Sequence, residues 1–189
     1  MNLKRIAIFA SGNGSNAMHI IEYFENHSLV VVAFVLANTE HAKVLKNAKD
    51  RKIATILCSN EEVDSATFLV SLCKDQHIDF IVLAGFLRKI PLALIQSYPE
   101  KIINIHPSLL PKFGGKGMYG KFVHEAVATS DEKETGITIH FVNEEFDKGK
   151  IIAQFSVPLI KGDTALSIQL KVQQLEHTYF APTIEKIIL

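Results

Sequence analysis

Apolar residues fall in short solid blocks separated by stretches of helical spacing, and this alternation recurs along most of the chain. Ile6-Ala7-Ile8-Phe9-Ala10 and Val30 to Leu36 are apolar at successive positions, the pattern of strands buried on both faces. Between them Ile20, Ile21 and Phe24 recur at helical spacing. The spacing further predicts a charged helix over His41 to Arg51, a short strand over Ala54 to Leu57, an amphipathic helix over Glu61 to Lys74 and a buried strand over Asp79 to Ala84. Strands alternating with helices at these intervals pair in parallel through right-handed crossovers. The predicted class is therefore α/β: a Rossmann-like, mostly parallel central sheet with helices on both faces. Further along come a strand over Ile102 to Ile105, a helix over Val123 to Thr129, and strands over Ile137 to Val142 and Ile151 to Val157, expected as an antiparallel C-terminal pair. Asp163-Thr164 then starts a helix whose Gln173, Glu176 and Phe180 share one face, a mixture of polar and apolar side chains suited to lining a site.

Chemistry enters where this pattern is interrupted. In Ile102-Ile103-Asn104-Ile105-His106-Pro107-Ser108-Leu109-Leu110-Pro111, an apolar strand delivers Asn, His and Ser and is stopped by two prolines. Asn104 and His106 alternate with Ile103 and Ile105, so one face of the strand is chemical and the other is core. Proline cannot continue the ladder, which puts the pair at the strand's end, where open α/β sheets bind ligands. Ser11-Gly12-Asn13-Gly14-Ser15-Asn16 follows the first strand and opens the first helix, and its free N–H groups make a place for a phosphate. The same residues also suit a plain strand-to-helix turn. A dinucleotide site is not expected, because position 17 is Ala where a third glycine is needed and the second strand ends in Ala37-Asn38 without an acid. The anion is read as a monophosphate, not NAD.

Three further segments are open to two readings each. Gly85-Phe86-Leu87-Arg88-Lys89-Ile90-Pro91 combines apolar side chains with two cations, fit either to hold a flat ligand with a carboxylate tail or to be a solvated loop with a hydrophobic anchor. Lys112 to Gly120 is too rich in glycine for a regular element and is either a loop that closes over substrates or a rigid turn. Asn143-Glu144-Glu145-Phe146-Asp147-Lys148-Gly149 joins the last two strands. Asp147 there is a second candidate for chemistry, although an acid near a glycine in a hairpin connection is in itself turn chemistry.

Composition narrows the class. The 189 residues suit one domain spanning 1–189, and 20 basic against 20 acidic side chains leave no global field to draw nucleic acid or anionic membrane. Cys58 and Cys73 are too few for a disulfide framework or a Cys-rich zinc site, and the histidines lack metal-ligand spacing. No metal is expected. The N-terminal apolar run is shorter than a signal peptide's core, and no run reaches spanning length, so an unprocessed cytoplasmic protein is expected.

Taken together, Ser11 to Asn16, Asn104 to Pro111, and Gly136-Ile137-Thr138-Ile139-His140-Phe141-Val142 through Asp147-Lys148-Gly149 occur in an order that resembles the phosphoribosylglycinamide formyltransferase family over essentially the whole chain. The Asn-x-His-Pro-Ser-Leu-Leu-Pro stretch is shared with methionyl-tRNA formyltransferases and formyltetrahydrofolate deformylases. The N-terminal glycine turn, a cradle for a small phosphorylated amine, points to the first of these, as does the lack of a tRNA-binding extension or a regulatory N-terminal domain. The resemblance implies transfer of a formyl group from 10-formyltetrahydrofolate, a cosubstrate, to glycinamide ribonucleotide in purine biosynthesis, by a monomer or weak homodimer. Asn104, His106 and Asp147 would be catalytic. Gly14, Ser15 and Asn16 would hold the acceptor's phosphate, and Gln173 and Glu176 its ribose and glycinamide end. Leu87, Arg88, Lys89 and Ile90, with Asn143, Glu144, Glu145, Phe146 and Asp147, would hold the folate. Alternatives are a deformylase with water as acceptor, another small-amine formyltransferase, or a module that binds a phosphorylated metabolite without chemistry. Two departures stand out: the family's helix arginine is absent around Asp64-Ser65-Ala66-Thr67, and Gly114 to Gly120 with a later His124 replaces a Pro-Gly and His-x-His run.

Overall fold

A computed structural model of the chain describes residues 2–189. Among the described residues seven strands lie in the order β3-β2-β1-β4-β5-β6-β7, in an α/β arrangement that is mostly parallel, with helices on both sides and an antiparallel pair at its C-terminal end. The chain divides into two compact units, one running to Ile103 and including Ile184–Leu189, the other covering Asn104–Thr183.

The first unit contains β1 (Lys4–Phe9), α1 (Ser15–Phe24), β2 (Val30–Ala37), α2 (Lys43–Asp50), β3 (Ala54–Leu57), α3 (Asn60–Asp64), α4 (Phe68–Asp75), β4 (Phe80–Leu83) and α5 (Leu92–Ser97). β1 pairs in parallel with both β2 and β4, and β2 with β3. Ile6, Ile8, Phe9, Phe34, Leu36 and Ile81 are fully buried, as solid apolar blocks require when both sheet faces are covered. The expected strand over 79–84 is narrower because Asp79 works at its edge: its carboxylate accepts from Arg5 N at 2.8 Å, while its own N–H goes to the Arg5 carbonyl.

One expected element is corrected. The helix predicted over Glu61 to Lys74 is two helices, because Ser65 leaves helical geometry with φ −64° and ψ 131°. Ser59 and Glu62 form a reciprocal capping box that starts α3, and the Ser65 hydroxyl accepts from Phe68 N at 3.4 Å where α4 begins. Serine oxygens compete with the helical carbonyls for those N–H groups, and here they win at both helix starts.

The second unit begins within β5 (Ile102–His106) and contains α6 (Lys121–Ala128), β6 (Glu134–Phe141), β7 (Ile151–Pro158) and most of α7 (Ala165–Ile188). β6 and β7 are antiparallel from Glu134 opposite Pro158 to His140 opposite Ile151, with a register irregularity between Ile139 and His140. β6 starts three residues before the expected Ile137, since cross-strand partners extend the pairing into polar sequence. Gly136 has no room for a Cβ, which would lie 2.0 Å from the Phe155 carbonyl oxygen. Thr164 and Ser167 cap the start of α7 reciprocally, and Asp163 holds Lys171 at 2.6 Å.

Candidate active site

β5 buries Ile103 and Ile105, leaves Asn104 half-buried and brings His106 to its C-terminal end with 4% of its surface exposed. The turn that follows is pinned. Thr138 of β6 donates to the Ser108 carbonyl at 2.7 Å and accepts from Leu110 N at 2.9 Å, while Gln154 of β7 donates to the Leu110 carbonyl at 2.9 Å. Ser108 is fully buried and donates to the Lys112 carbonyl at 2.7 Å, so its hydroxyl serves the turn.

The pinned turn carries the chain to Phe113, a non-glycine residue in left-handed conformation with φ 54°. Its carbonyl oxygen lies 2.8 Å from His106 Nε2. A carbonyl only accepts, so Nε2 carries a proton. The other ring nitrogen, Nδ1, is 3.5 Å from Asp147 Oδ2. Asp147 also has positive φ, 57°, and its Oδ2 accepts from Gly115 N at 2.9 Å. Left-handed backbone costs a non-glycine residue about 1–3 kcal/mol and is kept where the surroundings over-determine it. In the second unit the two non-glycine residues with positive φ are the two that flank His106. With Nε2 committed to Phe113, the Nδ1 and Oδ2 atoms face each other as a pair able to hold or release one proton. Gly114 also lies close, since a Cβ there would come within 3.3 Å of the Asp147 Cβ.

Two more histidines are buried in this unit. His140, from β6, lies with Nε2 3.0 Å from Asn104 Nδ2 and 3.8 Å from Asp147 Oδ1, and with Nδ1 2.8 Å from the Phe141 carbonyl oxygen. Burial pushes its pKa below the usual histidine value, against the opposing pull of the Phe141 carbonyl and Asp147. His124, on α6, is likewise lowered by burial and by His106, and its Nδ1 has no hydrogen-bond partner. His140 lies outside the expected set, yet the signal is present in the sequence. In Ile137-Thr138-Ile139-His140 the same two-residue alternation that marks Asn104 and His106 puts Thr138 and His140 on one face.

The remaining expected residues fall in both units. In the first, Gly14 is the N-cap of α1 with φ 76° and ψ 30°, and Gly14, Ser15 and Asn16 are half-buried at that helix start. Ser11 donates to Asn38 Oδ1 at 2.7 Å and accepts from Leu87 N at 2.9 Å, tying the turn to the 85–91 loop. In that loop Leu87 and Lys89 are exposed, Ile90 is buried and Arg88 is ion-paired with Asp64. Asp64 belongs to the Asp64-Ser65-Ala66-Thr67 stretch, so an acid of that stretch engages the loop's own cation. In the second unit Asn143, Glu144, Glu145 and Phe146 are exposed, and Gln173 and Glu176 are half-buried on α7. Among the described residues no group of three or more His, Cys, Asp or Glu could hold a metal ion, and no helix is long and apolar enough to cross a membrane.

A family model described as formyl transferase matches residues 4–184. The chain belongs to the formyl transferase family. Within that family it is 38% identical to a phosphoribosylglycinamide formyltransferase of Arabidopsis thaliana named as chloroplastic, over 97% of this chain and 65% of that protein. It is 33% identical to the Bacillus subtilis phosphoribosylglycinamide formyltransferase, over 98% of this chain and 95% of the relative. Among solved structures of the family, glycinamide ribonucleotide transformylase 1 from Geobacillus kaustophilus superposes with a TM-score of 0.90 at 32% identity, covering 100% of both chains. The chain spans 65% and 61% of the lengths of the Arabidopsis thaliana and Vigna unguiculata relatives.

Proposed function

We propose that this chain transfers the formyl group of 10-formyltetrahydrofolate to the primary amine of glycinamide ribonucleotide, a step of purine biosynthesis. The observation that carries this reading is the cluster of Asn104, His106 and Asp147 at the end of β5, with a His106 to Asp147 distance of 3.5 Å, in a chain similar over nearly its full length to enzymes named for this transfer. As the amine attacks the formyl carbon, negative charge develops on the formyl oxygen. The Asn104 amide N–H donates to that oxygen, and His106, with Nε2 committed to the Phe113 carbonyl, adds a second donor from Nδ1 when that nitrogen holds the proton it shares with Asp147. The Asp147 and His106 pair takes the proton released by the attacking amine and returns it to the departing folate nitrogen, so the pair ends each turnover as it began. No side chain forms a covalent intermediate, and Ser108 stays in its turn.

Gly14, Ser15 and Asn16 receive the acceptor's phosphate on the N–H groups that open α1, and Gln173 and Glu176 take its ribose and glycinamide end. Leu87, Arg88, Lys89 and Ile90 take part in holding the folate together with Asn143 to Asp147. A folate carboxylate that seeks Arg88 must compete with Asp64 for it. The protein acts on these small molecules in the cytoplasm, without nucleic acid, membrane or NAD. The test is release of tetrahydrofolate with and without glycinamide ribonucleotide. Strict dependence on the acceptor is expected. Release without it would make the protein a deformylase, and no release in either case would leave a binding module.

A further inference from the structure

Asn104 can act on a formyl oxygen only if its amide nitrogen, and not its amide oxygen, is turned the right way. The two ends of a side-chain amide have nearly the same shape, so something must distinguish them. The group in contact with the Nδ2 end is His140, 2% exposed, whose Nε2 lies 3.0 Å away. On its other side, His140 Nδ1 is 2.8 Å from the Phe141 carbonyl oxygen, which can only accept. That contact requires a proton on Nδ1. A neutral imidazole has one proton, so Nε2 presents a lone pair and prefers the amide's N–H over its oxygen. A charged imidazole would instead present Nε2–H and favour the amide oxygen. The charge on His140 and the orientation of Asn104 are therefore one variable.

We propose that His140 is a positioning residue for the transfer: its neutral ring, held in one tautomer by the Phe141 carbonyl, locks the Asn104 amide with its nitrogen toward His140 and so sets where the catalytic N–H points. This rests on the formyl-transfer reading and names a residue which that reading leaves unassigned. The groups facing His140 are the Phe141 carbonyl, Asn104 from β5, Ile151 opposite it on β7, Gly149, whose Cβ would lie 3.4 Å from Nδ1, and Asp147, whose Oδ1 is 3.8 Å from Nε2, with His106 acting on it electrostatically. Asp147 favours the charged ring, while burial and His106 oppose it, and burial is the largest of these influences. Protonation in acid turns the amide over and removes the donor, giving an acid limb to turnover that begins below the usual histidine pKa.

Two independent measurements test this. In the nitrogen-labelled wild-type protein near neutral pH, the His140 ring should give one protonated nitrogen, Nδ1, and one unprotonated nitrogen, Nε2. The Asn104 side-chain amide signals should shift with the same midpoint as His140 on acidification. A protonated Nε2 at neutral pH, or Asn104 signals indifferent to the His140 titration, would overturn the proposal. In kinetics, His140→Ala should lower kcat about a hundredfold, the usual loss for one oxyanion donor, with KM for both substrates near wild type. His140→Gln offers an amide oxygen to Asn104 and should recover most of that loss. The Asn104→Ala and His140→Ala changes together should cost no more than Asn104→Ala alone, and losses that multiply would overturn the proposal. A wild-type protein that transfers no formyl group would defeat the functional reading instead, leaving the nitrogen signals to judge the orientation.

Discussion

Replacing Gly14 by Ala tests whether the turn that opens α1 is as constrained as its geometry implies. Gly14 is the helix N-cap at φ 76°, and a Cβ there would lie 2.2 Å from Val44 Cγ2, 2.5 Å from Val44 Cβ and 3.2 Å from the Val44 Cα. Two costs follow. A left-handed conformation costs an ordinary L-residue about 1–2 kcal/mol. Forcing an atom into a packed contact adds about 1–3 kcal/mol, and side-chain rotation alone gives little relief because Val44 Cβ and Cα are among the clashing atoms. The substitution should therefore destabilise by about 2–5 kcal/mol, out of a total of about 5–15 kcal/mol for a typical protein. At this chain length that is a fall in Tm of about 4–20 °C. Gly12, two residues earlier, is the internal control, since a Cβ there meets nothing within 4 Å. Gly12→Ala should stay within about 0.5 kcal/mol of wild type. Urea unfolding of the two variants, compared at equal m, measures both. Equal effects, or a Gly14→Ala protein as stable as wild type, would refute the claim that α2 crowds the turn.

Other expectations follow from the second unit and from the buried thiols. Asp147→Asn keeps an oxygen for Gly115 N–H but removes the charge facing His106, so kcat should fall by about 10²–10⁴ with little change in melting temperature, and near-normal turnover would return Asp147 to a turn role. Since the pKa values of His124 and His140 are lowered in the folded protein, the unfolded chain takes up protons that the folded one rejects. Their effect is absent well above the unfolded histidine pKa of about 6.5 and destabilises the fold as pH falls below it. Urea midpoints should decrease between neutral pH and mildly acid pH, and a midpoint that rises over this range would contradict the assignment. Burial pushes the Cys58 thiol up to about 11 and the Cys73 thiol up to about 12, so both should react slowly with a disulfide reagent in the native protein and quickly once it is unfolded.

The parallel half of the fold is legible from its apolar blocks, as in Ile6 to Phe9 and Val30 to Ala37, although pairing with β2 carries the start of β1 back into the polar residues Lys4 and Arg5. The break at Ser65 is not legible from periodicity, since buried Val63, Leu69 and Cys73 lie on either side of it at spacings a continuous helix would tolerate. What decides it is a backbone angle at one serine and the hydroxyl bonds around it. The early start of β6 is hidden for a different reason, because Glu134 becomes a strand residue only through its partner on β7. In the candidate site, Asn104 and His106 announce themselves by alternation on an apolar strand. Asp147 does not, as an acid in a hairpin connection reads as turn chemistry until the fold brings its carboxylate to 3.5 Å from His106. His140 alternates with Thr138 as Asn104 does with His106, but its meaning depends on a contact across 36 residues.

The central claim concerns where the formyl carbon goes. With 10-formyltetrahydrofolate labelled with carbon-13 in the formyl group, wild-type protein and glycinamide ribonucleotide, the labelled signal should move quantitatively into the formamide of the ribonucleotide, one for each tetrahydrofolate released. Label appearing in free formate while the ribonucleotide stays unlabelled would contradict the account.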